Sequence, residues 1–260
     1  MGDTVLYERD GHVATITYNR PEVLNAINGA LRQDLNAAWE RFRDDEDAWV
    51  AIVTGAGRAF CVGADLRDGA ASAGSWPGSF WEIPTINSFE SGLEVWKPTI
   101  AAVNGYCLGY GLTLVSACDF VIAADDAQFG MPEVRLGVPT IVGAIRLPQR
   151  IGIQPALELL LTGERINATR AAEIGLASRV VPVADLLTAA RELADRLCAG
   201  APLAVRAVKE MAYRGQHLPW TDAVRMGEAI RRLCGSLSPE DVAEGRAALA
   251  EGREPRWRAR

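Results

Sequence analysis

Two short stretches of this chain combine residue types at spacings that can do chemistry. One is Ala59-Phe60-Cys61-Val62-Gly63-Ala64-Asp65-Leu66, and the other is Ala101-Ala102-Val103-Asn104-Gly105-Tyr106-Cys107-Leu108-Gly109-Tyr110-Gly111. Each reads as a tight turn running into a helix. The first N–H groups of a helix have no acceptor inside it and lie at the positive end of its dipole, so they are free to meet an anion. Two such donors aimed at one point form an oxyanion hole, the device that stabilises a thioester enolate.

Other elements must hold those turns in place. Val5–Tyr18 alternates apolar and polar residues around Asp10-Gly11, which predicts a β-hairpin, and Asn19-Arg20-Pro21 ends it. Asn28–Asp45 has the helical period, with Leu31, Leu35, Ala38 and Phe42 on one stripe. Val50–Thr54 reads as a short buried strand, Gly55-Ala56-Gly57 as a turn, and Ala59–Cys61 as a further strand. Asp68–Glu94 mixes small residues with Trp76, Phe80, Trp81 and Phe89; it predicts a long loop with a weak helix, and long loops in compact domains are often functional. Thr99–Val103 reads as a strand, Leu108–Ser116 as a buried helix and Phe120–Ala123 as a strand. The uncharged run Thr99–Cys118 is long enough to suggest a membrane span. Asn104, the glycines at 105, 109 and 111, and the flanking Lys97-Pro98 and Asp119 fit a buried strand, turn and helix better. Helical patterns dominate from Gln154 onward. Strand–helix alternation followed by helices predicts an α/β core with a helical C-terminal section.

Composition narrows the function classes. The chain has 260 residues, 49% hydrophobic and 23% charged, which suits one large domain or one with a small appendage. A net charge of −6 gives no electrostatic footprint for nucleic acid, and Arg253, Arg256, Arg258 and Arg260 read as a solvated tail. Five cysteines without a C-x-x-C argue against a disulfide framework or zinc site and fit a reducing cytoplasm. With only His12 and His217, neither a histidine-rich metal site nor a Ser-His-Asp triad is supported. Met1-Gly2-Asp3-Thr4 has no signal-peptide character. No G-x-G-x-x-G follows a predicted strand, which argues against a Rossmann nucleotide site.

Several segments, taken in order, resemble the signature of the crotonase superfamily, also called the enoyl-CoA hydratase/isomerase family. They are Thr17-Tyr18-Asn19-Arg20-Pro21-Glu22-Val23-Leu24-Asn25-Ala26, the two turns above, Cys118-Asp119, Ala127-Gln128-Phe129-Gly130-Met131-Pro132-Glu133, Leu161-Thr162-Gly163-Glu164 and Glu244-Gly245. The resemblance runs from Ile16 to about Arg256. It implies a crotonase-type spiral of ββα units with a C-terminal helical trimerisation region, divided as an acyl-CoA-binding core (1–195) and a helical region (196–260). It further implies a homotrimer or homohexamer, while the composition and patterning above are what predict a cytoplasmic protein with no membrane or nucleic-acid partner. No permanently bound cofactor or metal is implied, coenzyme A arriving as part of the substrate.

Residue by residue, the resemblance implies that the backbone N–H groups of Ala64 and Tyr110 form the oxyanion hole. Where the family usually has Leu-Gly-Gly-Gly, this chain has Leu108-Gly109-Tyr110-Gly111; a tyrosine there predicts an ordinary negative φ, with the donor retained by the backbone. Family hydratases hold one water between two glutamates. The second is present as Glu133, but Thr113 stands at the first position, and threonine is not a useful base near neutral pH. After Gly137 the usual glycine-rich run is replaced by the more apolar Val138-Pro139-Thr140-Ile141-Val142. Glu133 is the implied single acid/base; the plain alternative is an ion pair with Arg135 or Arg146. Glu82, Glu90 and Glu94 are candidates to replace the missing glutamate, although a solvated helix face is the simpler reading for each. Trp76, Phe80, Trp81 and Val138 are candidates for the acyl pocket. Glu22, Val23, Leu24, Ala26, Ala64, Asp65 and Leu66 would hold coenzyme A, largely through backbone groups. The family often has a basic residue at the position of Glu22, and Lys209 could supply positive charge instead, a surface lysine being the simpler reading. Isomerase and hydratase chemistry remain nearly matched. Thioester hydrolysis, decarboxylation and acyl-CoA binding without efficient catalysis remain open.

Overall fold

The computed structural model describes residues 2–67 and 88–259. The predicted hairpin is β1 (Val5–Asp10) paired antiparallel with β2 (Val13–Tyr18). The predicted first helix is α1 (Gly29–Asp44), capped by Asn28, whose side chain accepts from the Leu31 N–H at 2.9 Å. Its stripe of Leu31, Leu35, Ala38 and Phe42 is buried, together with Trp39, which stacks on Phe89 with ring centroids 4.0 Å apart.

The chain then repeats one unit. β3 (Val50–Gly55) and β4 (Ala59–Cys61) open the first repeat. β5 (Thr99–Val103), β6 (Tyr106–Leu108) and α2 (Tyr110–Ala117) make the next. β7 (Phe120–Ala124), β8 (Gln128–Gly130), a 3-10 turn over Pro132–Leu136 and α3 (Val142–Ile151) make the third. The first strand of each repeat joins one sheet and the second strand joins another. The larger sheet is β1-β2-β3-β5-β7-β10, where β10 is Arg179–Val181, and it is parallel from β2 onward. The smaller is β4-β6-β8-β9, where β9 is Arg165–Asn167 and only the β8/β9 pair is antiparallel. This is the spiral of ββα units that the resemblance implied. Strands β3 and β5 are buried along their whole length, as expected of parallel strands covered on both faces.

The sequence reading placed Leu108 in a helix. It instead ends strand β6, because Tyr106-Cys107-Leu108 pairs on both sides, with β4 and with β8, and the helix begins only at Tyr110. Asn104 fixes the turn between β5 and β6: its amide donates to the carbonyls of Gly55 at 2.7 Å and Gly57 at 2.9 Å, and its oxygen accepts from the Gly55 N–H at 3.2 Å. The β5–β6 connection is thereby bound to the Gly55-Ala56-Gly57 turn between β3 and β4.

After β8 the chain is mainly helical: α4 (Ile153–Thr162), α5 (Ala168–Glu173) and α6 (Leu186–Cys198), which packs against β3, β5 and β7. Position 195 falls in the last turn of α6. α7 (Pro202–Gly215), α8 (Trp220–Leu237) and α9 (Pro239–Glu251) form the C-terminal helical region. Among the described residues no helix is long and apolar enough to cross a membrane.

Candidate active site

The two turns meet at Gly63 and Gly109. Gly109 has φ 55° and ψ −121°, a conformation closed to ordinary side chains. A Cβ built on it would lie 3.6 Å from the Gly63 Cα and 2.9 Å from Oε1 of Glu133. Gly63 has φ 98°, and a Cβ on it would lie 3.5 Å from the Tyr110 nitrogen. The Gly63 carbonyl accepts from Ile27 N–H at 2.8 Å, and Asp65 N–H donates to the Ile27 carbonyl at 3.0 Å. In a trans peptide the N–H points opposite to the carbonyl, so the Ala64 N–H faces away from Ile27. The Gly109 carbonyl accepts from the Thr113 N–H at 3.0 Å inside α2, so the Tyr110 N–H points out of the helix start. Neither N–H has an acceptor among the described residues. Position 110 keeps a negative φ, as predicted from the tyrosine there.

Glu133 is brought to this point by the smaller sheet. Leu108 pairs with Gly130, and the Gly109 N–H donates to the Gly130 carbonyl at 2.9 Å. Pro132 then starts the 3-10 turn that carries Glu133 on its first turn. The carboxylate is half-buried, and its Oε2 is enclosed without a hydrogen-bond partner among the described residues. Burial pushes its pKa above the ordinary glutamate value, with only its own backbone N–H opposing. The alternative ion pairs do not form. Arg135 donates to the Thr162 carbonyl at 2.8 Å and lies 3.6 Å from Glu164, and Arg146 donates to the Glu90 carbonyl at 3.2 Å.

Thr113 lies one turn into α2 and is 4% exposed. A Cβ built on Gly143 of α3 would overlap the Met131 methyl and lie 3.1 Å from the Thr140 hydroxyl and 3.2 Å from that of Thr113, so the methionine fills the space between the two hydroxyls. Val138 is 51% exposed and follows directly on the Glu133 turn. Trp76, Phe80, Trp81 and Glu82, and the helix expected after Leu66, lie outside the described residues.

Glu90 departs from the sequence reading. It is 3% exposed rather than on a solvated helix face, and its carboxylate accepts from Ser88 Oγ at 2.6 Å and from the Tyr110 phenol. The residues around it form a turn, in which the Ser91, Gly92 and Leu93 N–H groups all donate to the Ser88 carbonyl, so helical periodicity could not locate it. The signal lay in Tyr110 itself: a tyrosine in a glycine turn inside a buried segment needs an acceptor for its O–H. Glu94, by contrast, is exposed and pairs with Arg214 at 2.9 Å.

The candidate coenzyme-binding loop is rigid. Leu24 and Asn25 both adopt positive φ, at 55° and 57°. Asn25 is fully buried; its oxygen accepts from the Arg20 N–H at 2.9 Å, and its amide donates to the carbonyls of Ala56 and Ala59 at 3.0 and 2.7 Å. Arg20 bridges this loop to the first turn, donating to the Ala26 carbonyl at 2.6 Å and to Asp65 Oδ2 at 3.1 Å. The Asp65 side chain is therefore engaged as a brace, and the Val23 backbone is engaged as well, its N–H donating to the Arg20 carbonyl and its carbonyl accepting from the Ala26 N–H, both at 3.1 Å. Leu66 is 74% exposed. Lys209 is neither a surface lysine nor close to this loop in its bonding. Its ammonium contacts Asp119 at 2.7 Å and donates to the carbonyls of Val95 and Lys97, both at 2.9 Å.

The family model described as Enoyl-CoA hydratase/isomerase matches residues 8–260. A carnitinyl-CoA dehydratase of Proteus mirabilis is 39% identical over 254 residues, covering 96% of both chains. A Mycobacterium tuberculosis protein named as a probable enoyl-CoA hydratase is 40% identical over 260 residues, covering 98% of both. Among solved structures, an enoyl-CoA hydratase from Mycobacterium marinum superposes with a TM-score of 0.89 at 34% identity, covering 100% of each chain. With matches that span the fold and include both turns and the Glu133 segment, this chain belongs to the enoyl-CoA hydratase/isomerase family, within the crotonase superfamily.

Proposed function

We propose that this enzyme moves a proton on an enoyl-CoA thioester through an enolate, with Glu133 as the single acid/base. The observation that carries this reading is the Glu133 carboxylate. It has no ion-pair partner among the described residues, its basicity is raised by burial, and it lies against the Gly63–Gly109 contact beside the free N–H groups of Ala64 and Tyr110. Those two N–H groups receive the thioester oxygen, and the α2 dipole adds to their pull. Glu133 takes the proton from C2 of a 3-enoyl thioester. The C–H electron pair enters the conjugated system, and negative charge collects on the oxygen. The same carboxyl group returns the proton to C4, leaving the double bond between C2 and C3, with no water consumed. Thr113 in place of a second carboxylate favours this isomerisation, because one carboxyl group suffices for removal and return.

Hydration is a second reading, in which Glu133 alone would take the proton of an attacking water. The names of the relatives, a hydratase and a dehydratase, agree with this chemistry. Incubation with trans-3-enoyl-CoA and trans-2-enoyl-CoA of several chain lengths separates the two. Conversion of the 3-enoyl to the 2-enoyl thioester without mass change supports isomerisation. Gain of one water on the 2-enoyl thioester supports hydration instead. Absence of both, in protein that binds acyl-CoA, removes the proton-transfer reading.

A further inference from the structure

Tyr110 is held at both ends. Its backbone begins α2, and its phenol donates to a buried carboxylate. The acceptor, Glu90, is itself immobilised. Ser88 Oγ donates to the same oxygen at 2.6 Å, and Ser91 Oγ reaches it at 3.4 Å. Three N–H groups close the turn onto the Ser88 carbonyl, at 3.1, 3.1 and 3.0 Å. Arg146 of α3 donates to the Glu90 carbonyl at 3.2 Å, and the adjacent Phe89 is stacked on Trp39 of α1. The Arg32 guanidinium covers the tyrosine ring, 4.9 Å from its centroid. A phenol tied to so fixed a point selects one rotamer, and so fixes the Cα–Cβ direction and the backbone to which it belongs.

We propose that Glu90 is a positioning residue that, through the Tyr110 phenol, sets the direction of the Tyr110 backbone N–H as an oxyanion donor. This rests on the reading of that N–H given above. A glycine at this position would have no side chain to anchor, whereas a tyrosine must be housed, and Glu90 turns that need into a constraint. Burial raises the phenol's pKa, so Tyr110 stays protonated and remains the donor. The second oxygen of Glu90 is buried and has no partner among the described residues, so the Tyr110 and serine donors carry most of what satisfies the carboxylate.

The test is the carbonyl stretch of bound butyryl-CoA, carbon-13 labelled at the thioester and unable to react, read by difference infrared spectroscopy. Polarisation by oxyanion donors lowers this frequency. In the wild-type protein the band is expected below that of the free thioester. Tyr110→Phe, which removes one oxygen, and Glu90→Ala should both return it toward the free value. Their kcat should fall by about 10- to 100-fold, as for a small misplacement of a reacting group, with KM within about 2-fold. Glu90→Gln keeps an acceptor and should restore both band and kcat. A purely structural role would lower stability without moving the band. A wild-type band and kcat in Tyr110→Phe overturn the inference while leaving the oxyanion reading standing. Lost kcat with an unmoved band also overturns it. An unshifted band in the wild type removes the oxyanion reading itself and this inference with it. Should Glu90→Ala not fold, Tyr110→Phe carries the test alone.

Discussion

At the scale of single residues, the proposed chemistry rests on one half-buried carboxylate, Glu133. Glu133→Gln keeps the shape and removes the proton acceptor, so kcat is expected to fall by at least about 100-fold in either the isomerase or the hydratase assay. The same residue has a thermodynamic signature. Burial raises its pKa in the folded protein, so the native state holds that proton more tightly than the unfolded chain. The stabilisation from this binding is complete below the unfolded value of about 4.5 and is lost as pH rises through the folded value. At pH 7 the ionised, poorly solvated Glu133 therefore lowers stability. Glu133→Gln should melt at a higher temperature than the wild type at pH 7, with the gap narrowing toward pH 4, as calorimetry at the two pH values would read. A gap that widens toward pH 4 would contradict the burial argument. For the wild type, the activity that needs the free carboxylate should rise with pH along a limb displaced above the ordinary glutamate range, and the limb should vanish in the residual activity of the glutamine variant.

At the scale of elements, the site depends on how the ends of strands and helices are tied. Gly109 joins β6 to α2, and its side is filled by Glu133; Gly109→Ala should both strain a positive φ and displace the carboxylate, giving a larger loss of kcat than of binding, read by steady-state kinetics. Lys97 closes the end of α1 by donating to the carbonyls of Phe42 at 2.7 Å and Asp45 at 2.6 Å. Burial, and then the neighbouring Arg206, push its pKa down to about 8. The unfolded chain thus binds this proton more readily than the native state between about pH 8 and the ordinary lysine value, so stability gained through Lys97 rises with pH in that window. A neutral amine still has two N–H groups, enough for both carbonyls. Urea unfolding should therefore find the wild type gaining on Lys97→Met between pH 7 and pH 10. These ties explain what the sequence could and could not reveal. Periodicity located the hairpin, α1, β3 and β5, because each follows a local pattern of burial. It misplaced Leu108, whose strand exists only through pairing with β4 and β8, and it could not find the burial of Glu90, which depends on a turn packed between α1, α2 and α3. The position of Glu133 was legible from its motif. The absence of a salt bridge to Arg135 or Arg146 was not, since those arginines find partners distant in sequence.

At the scale of the whole molecule, the core and the C-terminal helices differ in kind. The core buries β3 and β5 completely, and α6 packs on both. α8 buries none of its 18 residues, and along it Trp220 is 81% exposed, with Val224, Leu233 and Leu237 also exposed; α9 adds Leu249. An apolar surface of this extent on a helix pair seldom faces water. α7 likewise exposes Val208. The proposal of a homotrimer or homohexamer follows from this surface together with the family resemblance. Light scattering behind size-exclusion chromatography should give three or six times the mass of one chain. Trp220→Glu places a charge on the most exposed aromatic residue of α8, and it should reduce the assembly to smaller species while leaving the circular dichroism of the core unchanged. A monomeric wild type would remove the proposal. A trimer that survives both Trp220→Glu and Leu237→Glu would move the interface off α8. Because Arg146 and the Glu90 turn border a cleft that also touches Tyr213, Arg214 and His217 at the end of α7, assembly through this region should matter for catalysis as well. Dissociated Trp220→Glu protein is therefore expected to lose activity out of proportion to its loss of stability, with recovery at protein concentrations that restore the oligomer.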